Sequence, residues 1–258
     1  MAGIHPTAVV DDGASIADDA TIGPYAIIGP DVTIGSGTLI DAHVVVRGPT
    51  EIGRDNRFYP FSSIGDDPQD KKYADEPTKL VIGDRNTVRE YCTINRGTVQ
   101  DEGVTRIGND NWIMSYVHIA HDCVVGDHCI LANNATLAGH VKVGDWAIMG
   151  GYAGIHQFCQ IGAHAFLGMY AAIGKDVPAY VMVMGSPAAA RGINAEGLKR
   201  RNFTPEQIRN IKTAYKVVYR EGLRLEEAVE KLRTLAPEQP EIVPMLESIE
   251  RSERSIVR

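Results

Sequence analysis

The strongest constraint on the fold is a repeat of aliphatic side chains at every sixth residue. The repeat covers residues 4–64, resumes over residues 82–94, and continues through residues 107–173. A helix would need apolar residues three and four apart, and a single strand would need them two apart. A period of six is instead typical of a parallel β-helix, in which three short strands joined by corners make one coil. We therefore predict a mainly β fold for residues 1–190, with coils of about 18 residues.

The composition of each six-residue unit indicates which side chains point inward. The first place holds a branched aliphatic residue, and the fifth place is usually small, as at Ala8, Ala20 and Ala26. Glycine often follows the aliphatic residue, where it lets the chain turn a corner. All four cysteines occupy a fifth place, so we predict that they are buried as small apolar residues and bind no metal: Cys92, Cys123, Cys129 and Cys159.

Two polar segments interrupt the repeat, and we predict inserted loops over about 65–81 and 97–106. Insertions in a repeat fold commonly project from one face, which is often the binding face. Counting three units at a time places Ile64, Ile94, Ile119 and Leu137 on one side of the coils. Four of the eight histidines fall on or beside that same side: His118, His121, His140 and His156.

The chain after residue 178 carries a different pattern. The repeat ends at Pro178, and a linker containing Gly185-Ser186-Pro187 follows. Thr204-Pro205-Glu206-Gln207 is typical of a helix start, in which the Thr and Gln side chains cap the first turn. We predict that residues 191–258 form a small α-helical C-terminal domain, with helices over about 204–222, 225–236 and 242–253.

The distribution of charge and hydropathy excludes several classes of partner. Residues 191–258 carry 14 Lys and Arg against 11 Asp and Glu, residues 1–190 carry 12 against 22, and the net charge is −7. An acidic body argues against nucleic-acid binding, and no apolar run is long enough for an integral membrane segment. Residues 1–6 lack a secretory signal pattern, and four cysteines are too few for a disulfide framework. We therefore expect a cytoplasmic protein.

His121 and Asp122 are the candidates for catalysis among the outward residues. An imidazole titrates near neutrality, and an adjacent carboxylate can orient it. Gly139 lies one coil further along, where its backbone N–H could stabilise a developing oxyanion. No serine or cysteine stands in a strained, glycine-flanked turn, so a covalent acyl-enzyme is not indicated. This combination suits direct transfer of an acyl group to a hydroxyl or an amine.

Other interpretations of the histidines remain open at this point. A single outward histidine on a β-helix is commonly a solvated surface residue. Three histidines between subunits could hold zinc, as in trimeric carbonic anhydrases built from the same repeat. Inward cysteines cannot share a metal with outward imidazoles, and we expect no metal site. A β-helix with a purely structural or surface-binding role would have neither the loops nor the basic tail of this chain.

The stretch His118-Ile119-Ala120-His121-Asp122 and the stretch Glu196-Gly197-Leu198-Lys199-Arg200-Arg201 resemble the UDP-N-acetylglucosamine acyltransferase family. The resemblance extends over nearly the whole chain. It implies a left-handed parallel β-helix that forms a homotrimer, with sites between adjacent subunits. It also implies transfer of a 3-hydroxyacyl group from acyl carrier protein to the glucosamine 3-hydroxyl of UDP-N-acetylglucosamine, the first step of lipid A biosynthesis. No cofactor is implied beyond the phosphopantetheine of the carrier.

The resemblance further implies roles for individual residues. His121 would be the general base, Asp122 would orient it, and Gly139 would supply the oxyanion N–H. One set of residues would bind the sugar nucleotide or position the acyl chain: Asp70, Lys72, His118, His140, His156 and Gln157. Another set would contact the nucleotide end or the carrier: Asn194, Glu196, Arg200 and Arg201.

Two positions deserve separate predictions within this pattern. Asn95 stands among the substrate-binding positions where the family often has histidine, and an amide keeps hydrogen bonding but cannot take a proton. Met169 matches the residue that ends the acyl groove in the family, and its bulk would favour a medium acyl chain. The alternative for Met169 is simple packing between subunits.

The acceptor group stays open between a hydroxyl and a 3-amino group on the UDP-sugar. The related N-acyltransferase of the same pathway carries a nucleotide-binding domain before its coils. Here the repeat already begins at Ile4, so we expect no such domain.

Overall fold

Short strands stacked in coils, followed by helices, make up the structure. It is a computed structural model that describes residues 3–258, so the first two residues of the N-terminal stretch considered above lie outside the described range. The strands are β1 (Gly3–Ile4), β2 (Val9–Val10), β3 (Ser15–Ile16), β4 (Thr21–Ile22), β5 (Ile27–Ile28), β6 (Val32–Ile34), β7 (Leu39–Ile40), β8 (Val45–Val46), β9 (Thr50–Ile52), β10 (Arg57–Phe58), β11 (Ser63–Asp66), β12 (Lys79–Ile82), β13 (Thr87–Val88), β14 (Thr93–Asn95), β15 (Val104–Ile107), β16 (Trp112–Ile113), β17 (His118–Ile119), β18 (Val124–Val125), β19 (Ile130–Leu131), β20 (Thr136–Leu137), β21 (Lys142–Val143), β22 (Ile148–Met149), β23 (Gly154–Ile155), β24 (Gln160–Ile161), β25 (Phe166–Leu167), β26 (Ala172–Ile173), β27 (Val181–Met184) and β28 (Ala189–Ile193). The helices are α1 (Ala195–Arg200), α2 (Pro205–Tyr219), α3 (Leu225–Leu235) and α4 (Val243–Glu250), with a 3-10 turn at Pro240–Ile242 before α4.

The strands form three sheets, which are the three faces of a triangular coil. Sheet A begins with β1 and has 11 strands, sheet B begins with β2 and has nine, and sheet C begins with β3 and has eight. Neighbouring strands in the coils are parallel, and Ile94 pairs with Ile119, which pairs with Leu137. The parallel β-helix predicted from the six-residue period is therefore confirmed, together with the stacking of the units that flank the insertions.

The interior of the coils holds the first and fifth places of each unit. Ile22, Ile40 and Phe58 are fully buried, and each contributes roughly 1.5–3 kcal/mol by leaving water. The four cysteines are also fully buried, as predicted for the small inward place. Burial raises the pKa of the Cys92 thiol to about 11, so this thiol stays protonated at neutral pH.

From Tyr25 onward, most corners between two sheets contain a residue with left-handed backbone. We name the corners by the sheets that they join, and the B–C corner includes Asp122, His140 and Phe158, with φ of 58°, 63° and 66°. Glycine is required where successive corners touch: a Cβ on Gly35 would lie 2.5 Å from the carbonyl oxygen of Gly53. The corners therefore repeat one backbone geometry, and the side chains placed on them differ from corner to corner.

Both insertions leave the coils at the B–C corner. The first follows β11 and ends at β12, and the second follows β14 and ends at β15. Regular strand pairing continues into the edges of these segments, since Lys79 pairs with Val104. The irregular chain is thereby confined to residues 67–78 and 96–103.

The region after Pro178 contains three elements that the sequence analysis did not predict, namely β27, β28 and α1. Residues 181–184, expected in a linker, form β27, which continues sheet A beside β25 and turns back into antiparallel β28. The alternating Val-Met-Val-Met side chains allow this, because two valines face the core and are buried. The predicted cap of α2 is confirmed: Thr204 accepts a hydrogen bond from the Gln207 N–H, and the Gln207 side chain accepts one from the Thr204 N–H.

Candidate active site

The B–C corner carries an open cleft of about 790 Å³. The two insertions form one wall of this cleft, and three successive coils form the other. The lining residues are Gln69, Asp70, Lys71, Lys72, Gln100, Asp101, His121, His140, Gln157 and Phe158. The structure thus brings together five residues that the sequence analysis assigned to catalysis or substrate binding: Asp70, Lys72, His121, His140 and Gln157.

His121 and Asp122 form a hydrogen-bonded pair at the base of the cleft. Nδ1 of His121 lies 2.9 Å from Oδ2 of Asp122, and the carboxylate is almost fully buried. Burial by itself would raise the pKa of Asp122, but hydrogen bonds from His121 and Thr98 outweigh it and leave the pKa below its usual value. Asp122 therefore stays ionised at neutral pH and accepts the Nδ1 proton, so Nε2 is the free nitrogen of the ring.

Gly139 packs directly against the ring of His121 from the next coil. A Cβ at this position would lie 2.6 Å from Cε1 and 2.7 Å from Nε2 of His121, closer than two such atoms approach. The N–H of Gly139 donates to no group among residues 3–258. The absence of a side chain therefore makes room for the imidazole beside Gly139, and the Gly139 N–H stays free to donate.

His140 occupies the next place of the corner and is held by different partners. Its Nδ1 lies 2.9 Å from Oδ2 of Asp101, which belongs to the second insertion. Its ring stacks on Phe158 with a centroid distance of 4.4 Å, and meets the ring of His121 edge-on at 5.0 Å. The cleft consequently contains two imidazoles, each paired through Nδ1 with its own carboxylate.

The remaining predicted residues of this corner lie outside the cleft lining. His118 is half-buried, its Nδ1 lies 2.7 Å from the Thr93 hydroxyl, and burial together with His121 lowers its pKa. His156 occupies the first place of its corner rather than the second, and its Nδ1 lies 3.2 Å from the carbonyl oxygen of Gln157. Asn95 is buried, and its amide donates to the Asp67 carbonyl at 2.8 Å.

Asn95 and its neighbour Arg96 anchor the first insertion. The Arg96 guanidinium is buried and donates to the Gly65 carbonyl at 2.6 Å, to the Tyr73 hydroxyl at 2.9 Å, and to the Asp67 carboxylate. The side-chain oxygen of Asn95 has no hydrogen-bond partner among residues 3–258. The sequence analysis gave Arg96 no role, although a charged residue two positions after the inward Ile94 was a usable signal.

Three side chains of the cleft could in principle hold a metal ion. The ligand atoms of His121, Asp122 and His140 lie within 4.8 Å of one another. Both imidazoles, however, direct Nδ1 at carboxylates, and the Asp122 carboxylate is already occupied by Thr98. Since the four cysteines point into the core, no sulfur ligand is available to this group. The arrangement matches two orienting carboxylate–imidazole pairs more closely than a metal centre.

The residues assigned to the nucleotide end or the carrier form a second cavity, of about 340 Å³, on the outer face of sheet A. It contains Asn194, Glu196, Arg200 and Arg201. The Asn194 side chain caps α1 by accepting from the Gly197 N–H at 3.1 Å. Arg201 lies over the Trp146 ring. Within one chain these residues line a cavity separate from the His121 cleft.

Met169 lies at neither cavity. It belongs to the A–B corner, at the opposite edge of sheet B from His121, and is 65% exposed. Within one chain, Met169 therefore projects from a different corner than His121. Its role at the end of an acyl groove stays a prediction.

Comparisons with known proteins agree with this architecture. The family described as Udp N-acetylglucosamine O-acyltransferase, Domain 2, matches residues 176–257, and Bacterial transferase hexapeptide (six repeats) matches residues 105–139. A curated acyl-[acyl-carrier-protein]–UDP-N-acetylglucosamine O-acyltransferase from Saccharophagus degradans is 55% identical over the full length of both chains. One of the same description from Verminephrobacter eiseniae is 55% identical and covers 93% of this chain and 92% of its own.

Solved structures give the same result. LpxA from Acinetobacter baumannii superposes with a TM-score of 0.97 at 49% identity, covering 99% of this chain and 100% of that one. The UDP-N-acetylglucosamine O-acyltransferase of Moraxella catarrhalis gives the same TM-score, identity and coverage.

The coiled hexapeptide fold and the His–Asp pair in an open cleft define an acyltransferase of the hexapeptide-repeat class. The full-length identity is specific enough to go one step further. The chain belongs to the acyl-[acyl-carrier-protein]–UDP-N-acetylglucosamine O-acyltransferase family.

Proposed function

We propose that this protein transfers a 3-hydroxyacyl group from acyl carrier protein to the 3-hydroxyl of UDP-N-acetylglucosamine, the first step of lipid A biosynthesis, with His121 as general base. The observation that carries the assignment of the base is the His121–Asp122 pair. Its 2.9 Å contact engages Nδ1 and leaves Nε2 free in the cleft. Full-length relatives with this activity in their names support the choice of substrates.

The reaction follows from the groups that line the cleft. Nε2 of His121 takes the proton of the sugar hydroxyl as its oxygen attacks the carbonyl carbon of the acyl thioester. A carbon–oxygen bond forms, and the carbonyl oxygen becomes an oxyanion that accepts the free N–H of Gly139. The carbon–sulfur bond then breaks, and the departing carrier thiolate takes the proton from the imidazolium.

Asp122 contributes through its charge and its position. The imidazolium formed during transfer is stabilised by an adjacent carboxylate that remains ionised. Hydrogen bonds hold the pKa of Asp122 below its usual value despite burial, so its negative charge persists at working pH. The same carboxylate fixes the tautomer in which Nε2 is the base.

A homotrimer is part of the proposal because one chain supplies two incomplete halves of a site. His121 lies in the cleft of the B–C corner, whereas Arg200 and Arg201 line the cavity on sheet A. A neighbouring subunit related by cyclic symmetry would bring the second cavity to the first cleft. The A–B corner also exposes a row of aromatic rings, which is unusual for a monomer surface and suits an interface.

The remaining partners follow from charge and composition. The basic excess of residues 191–258 favours contact with the acidic acyl carrier protein, and salt should weaken that contact. Among residues 3–258, no helix has the length and apolar character needed to cross a membrane. We further propose that the enzyme works in the cytoplasm without a metal or cofactor of its own.

The test is a product assay with the purified protein, UDP-N-acetylglucosamine and 3-hydroxyacyl carriers. Mass spectrometry should detect a mono-acylated UDP-sugar whose ester is cleaved by mild base. An amide product from a 3-amino UDP-sugar, with no ester from the hydroxyl sugar, would overturn the choice of acceptor. Loss of turnover on chelation, restored by zinc, would overturn the metal-free mechanism.

A further inference from the structure

We infer that the second insertion is the element that orients both imidazoles of the cleft, through Thr98 for His121 and through Asp101 for His140. Neither residue was singled out by sequence, and both are positioning residues rather than groups that touch the reacting atoms. The inference rests on the proposed function, because it concerns the efficiency of that reaction.

Thr98 holds the carboxylate that orients His121. Its backbone N–H donates to Oδ1 of Asp122 at 2.8 Å, and its hydroxyl donates to Oδ2 at 2.6 Å. Oδ2 is also the atom that accepts Nδ1 of His121. Thr98 is itself almost fully buried, so water cannot replace its hydroxyl. Removing that hydroxyl leaves Oδ2 of Asp122 with one of its two hydrogen-bond donors, and the orientation of the carboxylate is less firmly held.

The other side of Asp122 is fixed from the strand that ends the insertion. The N–H of Asp122 donates to the hydroxyl of Thr105 in β15 at 2.8 Å. Thr98 and Thr105, at the two ends of the second insertion, therefore both hydrogen-bond to Asp122. The path of the loop is set by Gly97, where a Cβ would lie 2.2 Å from the Val104 nitrogen.

Asp101 keeps the two imidazoles on separate carboxylates. Nδ1 of His140 lies 2.9 Å from Oδ2 of Asp101. Oδ2 of Asp122 is also near, at 3.8 Å from the same nitrogen. Without Asp101, His140 would have a buried carboxylate within easy reach and would compete with His121 for it. With Asp101 in place, each ring keeps one partner, and Nε2 of His140 stays available to the substrate.

The two residues should affect different kinetic constants. Thr98→Val keeps the shape and removes the hydroxyl, so kcat should fall about 10–100-fold while KM for UDP-N-acetylglucosamine changes little. Thr98→Ser restores the hydroxyl and should recover most of the rate. Asp101→Ala should raise KM for the sugar nucleotide about 5–20-fold with a smaller change in kcat. Asp101→Asn retains an accepting oxygen for Nδ1 and should recover most of the affinity.

Matched controls exist in the same part of the chain. Thr78 is a buried threonine beside the loop whose hydroxyl has no partner among residues 3–258, so Thr78→Val should behave as the parent. Glu102 is adjacent to Asp101, is exposed, and lies 3.9 Å from Arg106, so Glu102→Ala should leave both constants unchanged.

The parent enzyme is assayed first, which separates the two hypotheses. A parent with no turnover on any acyl carrier overturns the proposed function. The orienting role of the loop is overturned if the parent turns over and the kinetic constants of each variant match those of its control. The pairs to compare are Thr98→Val with Thr78→Val, and Asp101→Ala with Glu102→Ala. If the unfolding temperature of Thr98→Val is well below that of the parent, the orienting role is tested with Thr98→Ser and with the two Asp101 variants instead. A Ser variant as slow as a Thr98→Ala enzyme would then count against the inference.

Discussion

The B–C corner and the A–B corner share one backbone geometry and carry opposite chemistry. In the A–B corner the left-handed places hold Tyr25, His43 and Phe61, which stack with centroid distances of 5.2 and 4.9 Å and nearly parallel planes. In the B–C corner the corresponding place holds Asp122 and His140, whose hydrogen-bond partners are other polar side chains. The corner itself is therefore not the functional unit.

The difference between the corners lies in what covers them. His43 is exposed and contacts aromatic rings, so it has no group that would select a tautomer. The His121 side chain is only 13% exposed, and its partner carboxylate is 1% exposed beneath the second insertion. Because the insertions leave the coils at the B–C corner, they cover the place where the His121 imidazole meets a buried carboxylate.

The largest expected effect is the loss of the base at the B–C corner alone. His121→Ala should lower kcat by about 10²–10⁴-fold or more, because among residues 3–258 no other imidazole has a buried carboxylate as its hydrogen-bond partner. His43→Ala at the A–B corner should retain the parent rate. Steady-state kinetics with both substrates saturating is the measurement, with light scattering to check that the oligomeric state is the same as in the parent. A His121→Ala enzyme close to the parent in rate and pH profile removes His121 from the mechanism.

The second effect concerns two glycines at equivalent places of the two corners. Gly139→Ala should reduce kcat about 100-fold, because its Cβ would displace the His121 ring from its position. Gly151→Ala at the A–B corner meets its nearest atom, the Asn133 carbonyl oxygen, at an ordinary 3.4 Å and should be tolerated. Equal activity of the two variants would contradict the contact between Gly139 and the base.

The third prediction tests whether Met169, in the A–B corner, determines specificity for acyl chain length. Met169→Gly should shift preference toward longer acyl chains, since each methylene admitted contributes about 0.8 kcal/mol. For carriers that differ by two methylenes, the ratio of kcat/KM values should change about tenfold. Met169→Leu, which keeps the bulk, is the control and should retain the medium-chain preference. A competition assay that finds one preference in all three proteins would leave Met169 as a packing residue.

The smallest effect tests a histidine at the third corner, between sheets C and A. Burial, and then the positive charge of Arg201, lowers the pKa of His164 to about 4, whereas an unfolded histidine titrates near 6.5. Between these values the unfolded state binds a proton that the folded state excludes, so stability should fall as pH falls from about 6.5 to 4.

His164→Gln should remove this part of the pH dependence, because a neutral amide can still accept from Arg201. Urea unfolding at pH 7 and pH 5, at one protein concentration, measures the difference. His43→Gln at the exposed A–B corner should follow the parent. A His164→Gln protein that loses as much stability as the parent on acidification would show that His164 is not the group responsible.

The sequence by itself, through its six-residue period, determined the coiled fold and the side chains that face its interior. The inward Ile residues, the buried cysteines and the parallel stacking of Ile94, Ile119 and Leu137 are all set by counting along the chain. The His121–Asp122 pair was equally accessible, because its members are adjacent in sequence. A regular coil translates sequence separation directly into distance, so a residue 18 positions away is a neighbour by construction.

Only the tertiary structure decided what the irregular segments contact. Thr98 reaches Asp122 across 24 positions and Asp101 reaches His140 across 39, neither of which is a multiple of a coil. The six-residue period also gave no position for α1 and β28, which the sequence analysis missed. It did not show that His156 lies outside the cleft lining. Outside the regular coils, the position of a residue depends on side-chain hydrogen bonds and packing, and the residues that make these contacts are not separated by a fixed number of positions. The contacts of Thr98 with Asp122 and of Asp101 with His140 therefore became visible only once the chain was folded.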